Sequence, residues 1–387
     1  MKNEKFIYFV VPILLFLVTP FVQVYSDLDN AEFFNVKTLP PITNTIASAI
    51  RWGVVILGCM ISILSLARST KNVTKSLIFF SLFYFVQLLY AIVDGLEIDR
   101  FFLLTITSFF FPFYLSLCFV KYKNSLLRIF NILIFGFIIL GLVLNGHLVL
   151  AGQRFIGFSN NSNLFGFTAI FWLLIVLVNL SSSNSDKKLS WINFLLLSIV
   201  ILLSGSRNAM IGYVVLNLFY FRNFIKQFLV AIILGAIVFI ILNNYIDLSF
   251  VTNRLLNIEN SISDSGRTIF WNKAFLHIKE NLFWGNGMDG NIRLINTGNM
   301  HNVYIRFLLN MGLMFTLLSL FQLFLSIFKI LKKRNVLSYL LLGFMFSYLL
   351  INFGEDFMVG IGNSAYIYVL FVYGFINYNL IDNDTSR

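Results

Sequence analysis

The sequence KKLSWINFLLLSIVILLSGSRNAMIGYVVLNLFYFRNFIK, residues 187–226, decides the fold class. Two apolar arms, Leu189–Leu203 and Ala209 to about Ile225, flank the polar turn SGSRN at 204–208, and basic residues stand at both far ends. Lys and Arg favour the cytoplasmic ends of membrane helices, so this pattern indicates two arms that share one cytoplasmic side. At about 1.5 Å per residue each arm reaches about 22 Å, less than the roughly 30 Å core of a bilayer. The turn with Arg207 is therefore predicted to lie in a recess below the outer surface.

The rest of the chain supports a membrane protein. Hydrophobic residues make up 58% and charged residues only 12% of the 387 residues, which excludes a soluble globular protein. We therefore predict an all-α polytopic membrane protein with about twelve transmembrane helices. The first apolar run lacks a clear cleavage site and is predicted to be a retained helix. The runs begin near Phe6, Ile46, Ser76, Phe101, Leu126, Leu164, Leu189, Ala209, Phe228, Val303, Val336 and Phe357.

The charges set the predicted orientation. With both termini in the cytoplasm, the basic residues concentrate in the inner segments, as the positive-inside rule requires. The net charge of +11 then reflects membrane topology, and nucleic-acid binding is not needed to explain it. Cys59 and Cys118 both fall in predicted spans, so neither a disulfide framework nor a thiolate metal site is indicated.

The longest connection, residues 247–302, lies on the outer side of a single integral-membrane domain that covers residues 1–387. A loop of this length in a compact protein is usually functional. Ser263-Asp264 can cap a helix within it. The three- and four-residue spacing of the apolar positions predicts an amphipathic helix at the outer membrane interface. These positions are Phe270, Ala274, Phe275, Ile278 and Leu282.

A glycine-rich segment follows that helix. Gly285-Asn286-Gly287-Met288-Asp289-Gly290 matches G-x-G-x-x-G letter for letter. The dinucleotide fingerprint needs a preceding strand and a following helix, whereas this segment follows an interfacial helix outside the cytoplasm. We therefore reject a nucleotide site and predict a turn that returns the chain to the helix bundle.

Arg207 and Arg267 share one property: each falls in the first turn of a predicted helix. The helix dipole and the free N–H groups there favour an anion and disfavour a cation, so a bound anion would explain both arginines. The planar guanidinium suits phosphate because it donates two hydrogen bonds at once. As alternatives, Arg207 can snorkel to the headgroups or pair with Glu355 or Asp356.

His301 precedes Asn302 and the apolar run from Val303. A neutral imidazole can accept a proton from a sugar hydroxyl, although a lone histidine at a helix start is more often a cap or a solvated residue. No second histidine or carboxylate stands at metal-ligand spacing, so no metal site is predicted. The sequence also has no G-x-S-x-G elbow to supply a serine nucleophile.

Five motifs follow one another along the chain: Arg154-Phe155-Ile156-Gly157-Phe158 through Asn163, Ser204-Gly205-Ser206-Arg207, Gly266-Arg267 with Trp271, Gly285-x-Gly287, and His301-Asn302 with Gly312. Their order and spacing, over roughly residues 150–315, resemble the O-antigen ligase and polymerase superfamily, which comprises bacterial integral-membrane glycosyltransferases of the GT-C type. The sequence departs from the family pattern at two positions. Ser162 stands where a proline often precedes the asparagine at 163, and Asn310 stands where an acidic residue is common.

This resemblance implies a GT-C-like fold and glycan transfer from an undecaprenyl-diphosphate donor to a sugar hydroxyl, without a cofactor, nucleotide sugar or metal. The reaction would occur at the outer face of the bacterial cytoplasmic membrane. By position, Arg207 and Arg267 match the arginines that hold the donor diphosphate, and His301 matches the proposed catalytic base. Further candidates for substrate binding are Arg154, Asn163, Asn302, Glu355 and Asp356.

We predict a polymerase that joins lipid-linked repeat units into O-antigen, capsule or exopolysaccharide with inversion at the anomeric carbon. Its expected partners are the lipid-linked donor and acceptor and membrane lipid, with a chain-length regulator as a further candidate and no nucleic acid. One alternative is an O-antigen ligase that transfers glycan to lipid A core. Another is a flippase or transporter of lipid-linked sugar, although transporters tend to show matched halves, and this chain has a single interruption.

Overall fold

A computed structural model describes residues 2–23, 39–68, 98–159, 161–182, 186–226, 229–230, 233, 243, 249–256, 267–287, 289–297, 300–355 and 364–381. These residues are mostly helical and include no β-strand, which confirms the all-α prediction for this part of the chain. The α-helices are α1 (Lys2–Lys5), α2 (Val11–Val18), α3 (Pro41–Arg68), α4 (Ile98–Asn145), α5 (His147–Leu150), α6 (Ser162–Ser181), α7 (Lys187–Leu203), α8 (Arg207–Tyr220), α9 (Ser249–Leu256), α10 (Arg267–Glu280), α11 (Gly290–Ile295), α12 (Val303–Leu331), α13 (Val336–Ile351) and α14 (Ser364–Ile381).

Several of these helices are suited to a membrane. Among the described residues, three are long and apolar enough to cross one, and a fourth results if the two bent parts of α12 count as one span. The prediction of about twelve spans stays a prediction, because the runs near Ser76 and Phe228 lie largely outside the described residues. The three spans are Ile42–Ser65, Ile106–Asn145 and Ser162–Ser181, and the shorter apolar helices are Phe6–Phe21, Val336–Ile351 and Ala365–Tyr378.

Helix α4 contains both of the helices that the sequence predicts from Phe101 and from Leu126. They are separated by a kink at Tyr122 (φ −137°, ψ 21°), the one residue of the 48 with non-helical dihedral angles. Lys121 and Lys123 stand on either side of this break. The two predicted helices are thus joined through one non-helical residue and not through a loop.

The chain divides into two compact units. The first comprises Met1–Arg51, Lys121–Ile258 and Ile330–Ile351, and the second comprises Trp52–Val120, Glu259–Lys329 and Asn352–Arg387. In the first unit, α6 is buried along nearly its whole length and packs against α7, α8 and α13.

Small residues allow the helices of the first unit to approach closely. A Cβ added to Gly166 would lie 2.6 Å from the Cβ of Ala209, and one added to Gly212 would lie 2.9 Å from Ile351. The hydroxyl of Ser347 donates to the carbonyl of Gly212 at 2.9 Å. Close backbone approach and hydroxyl hydrogen bonds of this kind are typical of helix packing in membranes. They fix α8, and hence the turn before it, against α6 and α13.

In the second unit, α10 confirms the helix predicted within the outer loop. Its Ala274 and Ile278 are buried in a cluster with Ile295, Met300, Ile305 and Leu309. Phe275 and Leu282, which the same spacing includes, are 44% and 39% exposed. The helix therefore has a packed apolar face and an exposed one, and its location at the membrane interface stays a prediction. The expected cap Ser263-Asp264 lies outside the described residues.

The glycine-rich turn completes an interrupted helix. Gly312 (φ 73°, ψ 177°) breaks α12, and the segment 282–287 lies against the break. The expectation of a single interruption, at the SGSRN turn, is therefore wrong. The backbone groups that the break deprives of helical partners bond to this segment, as buried backbone requires. The replacement bonds are Asn286 N to Leu309 O (2.9 Å), Gly287 N to Asn310 O (2.8 Å), Leu313 N to Leu282 O (2.8 Å) and Met314 N to Phe283 O (3.3 Å).

This insertion leaves no room for side chains at its centre. A Cβ on Gly285 would collide with the backbone nitrogen of Gly312, and both glycines have positive φ. Asn310 exchanges hydrogen bonds with Asn291 at 2.8 and 2.9 Å. The predicted turn is confirmed. The backbone N–H groups of Asn286 and Gly287 donate to carbonyls of α12, whereas a phosphate-binding loop would need such N–H groups for its ligand.

Candidate functional site

One group of predicted residues lies in the first unit, at the turn before α8. Gly205 adopts a left-handed φ of 57°, which reverses the chain after α7. Ser206 then caps α8, because its hydroxyl accepts from the backbone N–H of Ala209 at 3.4 Å. Arg207 is the first residue of α8 and is half-buried. The prediction that this arginine stands at a helix N-terminus is confirmed.

Arg154 stabilises the turn before α8 through two side-chain hydrogen bonds. Its Nε donates to the carbonyl of Ser204 and its Nη2 donates to Oδ1 of Asn163, both at 2.8 Å. Arg154 is only 9% exposed, and the next residue, Phe155, donates its N–H to the carbonyl of Leu203 at 2.9 Å. Charge-assisted bonds from a planar fork are strong and directional. Arg154 and Asn163, both candidates for substrate binding, therefore help to shape the turn that carries Arg207.

A separate group of three predicted residues lies within the second unit. Arg267 opens α10, His301 lies two residues before α12, and Glu355 follows α13. Nη2 of Arg267 lies 3.5 Å from Nδ1 of His301, and Oε2 of Glu355 lies 3.8 Å from the same nitrogen. Glu355 is buried, whereas the side chain of His301 is 29% exposed.

The backbone around His301 is held from two directions. The indole of Trp271 donates to the carbonyl of Met300 at 2.8 Å, which ties α10 to the residue before the histidine. Asn302 caps α12 and its Nδ2 donates to the carbonyl of Phe353 at 3.2 Å. His301 itself has a φ of 49°, an uncommon conformation for a residue other than glycine. Such conformations cluster at functional sites, because the surroundings must hold them in place.

The chemistry available to this cluster follows from its groups. An imidazole within 4 Å of both a buried carboxylate and a guanidinium can exchange a proton and stand beside a bound anion. The Nε of Arg267 is buried and has no hydrogen-bond partner among the described residues. Within those same residues, no group of three His, Cys, Asp or Glu is placed to hold a metal ion.

The other predicted residues are Arg207, Asn302 and Asp356. Arg207 lies in the first unit, so its role beside the histidine cluster stays a prediction. Asn302 acts as a helix cap, and its suggested contact with substrate also stays a prediction. Asp356 lies outside the described residues.

Two features escaped the sequence analysis. The first is Arg51, which is 3% exposed inside the apolar helix Ile42–Ser65. The sequence signal that could have indicated it is a basic residue within an apolar run. A buried cation at such a position is a functional candidate. The pairing of Glu355 with His301 joins residues 54 positions apart, and no local spacing could have indicated it.

Comparison with known proteins finds a family match in the central part of the chain. Residues 192–320 match the family model described as O-antigen ligase. This range contains Arg207, Arg267 and His301, and it confirms the resemblance that the motifs indicated. No curated protein matches the chain.

Proposed function

We propose that this chain, whose residues 192–320 match the family model described as O-antigen ligase, is a membrane glycosyltransferase. Its substrates are undecaprenyl-diphosphate-linked oligosaccharides, which it joins into O-antigen, capsule or exopolysaccharide. The observation that carries the proposal is the approach of Arg267 and Glu355 to His301, at 3.5 and 3.8 Å. The cluster combines a guanidinium that can bind the diphosphate with an imidazole that can take the proton of the acceptor hydroxyl.

The proposed reaction is a single displacement. His301 takes the proton from an acceptor hydroxyl as the hydroxyl oxygen bonds to the anomeric carbon of the donor. The bond from that carbon to the diphosphate oxygen breaks, and the lipid diphosphate leaves with the electron pair. Because the leaving group is already good, the protein mainly aligns the acceptor and stabilises the developing charge. One displacement inverts the configuration at the anomeric carbon.

Arg207 and Arg267 are proposed to bind the diphosphate. Each stands at the start of a helix, where the dipole and free N–H groups add to the attraction for an anion. Arg207→Lys should sharply reduce polymer in cells without lowering protein level, because an ammonium cannot reproduce a bidentate fork. Arg222→Lys is the matched control, since Arg222 lies beyond the other end of α8 and stacks on Tyr339. Normal polymer from Arg207→Lys would remove this arginine from the site.

The site is proposed to face the outer side of the bacterial cytoplasmic membrane, with both termini in the cytoplasm and a GT-C-type arrangement of helices. Donor and acceptor would then be lipid-linked sugars that a flippase has already delivered. A chain-length regulator is a candidate partner of such a polymerase.

A ligase is the second candidate, because the matched family model is described as O-antigen ligase. The two activities differ in the acceptor: a lipid-linked repeat unit for a polymerase, and lipid A core for a ligase. Purified protein should therefore be given the lipid-diphosphate repeat unit alone and, separately, the same donor with lipid A core. We expect a ladder of longer glycans with the donor alone. Product that forms only with lipid A core would identify a ligase, and transport of the donor across a liposome without either product would identify a flippase.

A further inference from the structure

The geometry points to a competition between Arg267 and Glu355 for Nδ1 of His301. We infer that an anion bound at Arg267 determines which of the two residues contacts this nitrogen. The inference rests on the proposed function and adds the order of events at its site. The donor diphosphate converts His301 into a base, so the acceptor is deprotonated only when the donor is bound.

Both contacts converge on Nδ1. A neutral imidazole has one N–H and one lone pair, on different nitrogens. If the guanidinium of Arg267 donates to Nδ1, that nitrogen supplies the lone pair and the proton is on Nε2. If Nδ1 carries the proton and donates to Glu355, Nε2 supplies the lone pair. The two contacts therefore require different tautomers of His301.

The tautomers have different chemical capacities. With the proton on Nε2 and Arg267 at Nδ1, His301 cannot accept a further proton without losing the bond to the guanidinium. With the proton on Nδ1, Nε2 can accept one, and the resulting imidazolium is stabilised by the carboxylate of Glu355. Only the second tautomer pairs a base with a charge-stabilising partner.

Neither contact is strong as observed. The distance of 3.5 Å to Arg267 is at the limit of a hydrogen bond, and 3.8 Å to Glu355 lies beyond it. The shorter contact predicts that the protein without donor favours the Nε2–H tautomer. Catalytic hydrogen bonds are often long in the free enzyme and tighten in the complex, so a small displacement is enough to exchange the two partners.

A bound diphosphate supplies that displacement. Its charged oxygens are better acceptors for a guanidinium than a neutral ring nitrogen, so they draw Arg267 away from Nδ1. The proton on Nε2 is released to water while Nδ1 takes one from water, and Nδ1–H then donates to Glu355. After transfer, the proton that Nε2 took from the acceptor passes to water and the cycle repeats. No net charge or electron is gained by the protein.

The surrounding structure favours movement of the side chains over movement of the backbone. Trp271 and Asn302 hold the chain on both sides of His301, and Val303 donates its N–H to the carbonyl of Asn352 at 3.1 Å. Glu355 follows three residues later and is buried. The imidazole and the guanidinium, both partly exposed, are then the groups that respond to an anion.

The tautomer can be measured directly because the chain has only three histidines. Full-length protein with His147→Gln and His277→Gln is labelled with ¹⁵N-histidine, purified in detergent and studied by NMR at pH about 8, where imidazole is ordinarily neutral. Without additions we expect Nε2–H, and saturating inorganic pyrophosphate should shift the population to Nδ1–H. Arg267→Met, whose side chain has no N–H to donate, should give Nδ1–H in the same background with or without pyrophosphate, which tests the competition independently of ligand binding.

Kinetics provide a second measurement. Glu355→Gln places an amide beside Nδ1 and should lower kcat by about 10²- to 10⁴-fold with little change in KM, because an amide N–H can stabilise the wrong tautomer. Glu280→Gln is the matched control, since Glu280 pairs with His277 at 3.1 Å on the exposed part of α10. That variant should retain the wild-type rate.

The outcomes separate this inference from the proposed function. The competition is refuted if Arg267→Met has the wild-type tautomer, and the coupling is refuted if pyrophosphate leaves the wild-type tautomer unchanged. In either case, polymer that still depends on His301 leaves the glycosyltransferase in place. If wild-type protein makes no polymer or ligated product, the proposed function fails even where the tautomer responds to pyrophosphate.

Discussion

Replacement of Arg154 by lysine tests whether this residue shapes the turn of Arg207 or binds substrate. Arg154 donates from Nε to Ser204 and from Nη2 to Asn163, in two directions of one planar group. A lysine has a single ammonium at the end of a flexible stem and cannot keep both bonds in this geometry. The loss of one charge-assisted hydrogen bond at a buried position should lower the free energy of unfolding by about 1.5–3 kcal/mol.

The measurement for Arg154→Lys combines stability with kinetics. Thermal unfolding followed by tryptophan fluorescence should show a lower midpoint, and transfer should be slower because the turn before α8 is less ordered. Asn163→Ala removes one of the two bonds of Arg154 and should also destabilise the protein. Because Arg154 takes part in both changes, the two effects should not add fully in the double variant. A wild-type midpoint combined with a raised KM for the lipid donor would contradict this reasoning and identify Arg154 as a substrate contact.

Three further predictions concern the helix break and the topology. Gly285→Ala should abolish folded protein, because a Cβ there would collide with the backbone inside the break of α12. Gly136→Ala is the control, since a Cβ at that position has open space and should be tolerated. Equal expression of both variants would refute the close approach. Asn310→Asp should destabilise the protein by about 1–3 kcal/mol, because it removes the donor to Asn291, and a wild-type midpoint in thermal unfolding would show the pair to be dispensable. After replacement of the two buried cysteines, Lys279→Cys should react with an impermeant thiol reagent on spheroplasts and Lys332→Cys should not; the opposite pattern would invert the proposed orientation.

Local sequence signals predicted the helix starts well. The SGSRN turn and the first-turn position of Arg207 both follow from short-range patterns, and α8 begins at that residue. The spacing of Ala274 and Ile278 likewise predicted α10 and its packed face. These features depend on residues within one or two helical turns of each other, which is the range that periodicity and capping report.

Features that depend on distant backbone were not predictable in the same way. The break at Gly312 is stable only because the segment 282–287 supplies its hydrogen bonds, and Gly312 alone does not indicate such an insertion. The approach of Glu355 to His301 requires the residues after α13 to lie beside the start of α12. The sequence included Glu355 among the candidates but could not show that its partner is the histidine.

The transfer rate of His301→Ala tests the central claim most directly. Purified protein is given the lipid-diphosphate repeat unit without nucleotide or added divalent metal, and chain length is followed on gels beside His277→Ala as the matched histidine control. The account predicts that His301→Ala still binds the donor, through the arginines, but transfers glycan about 10²- to 10⁴-fold more slowly, as expected for loss of a general base. His277→Ala should match the wild type. A wild-type transfer rate in His301→Ala would contradict the account and require another base.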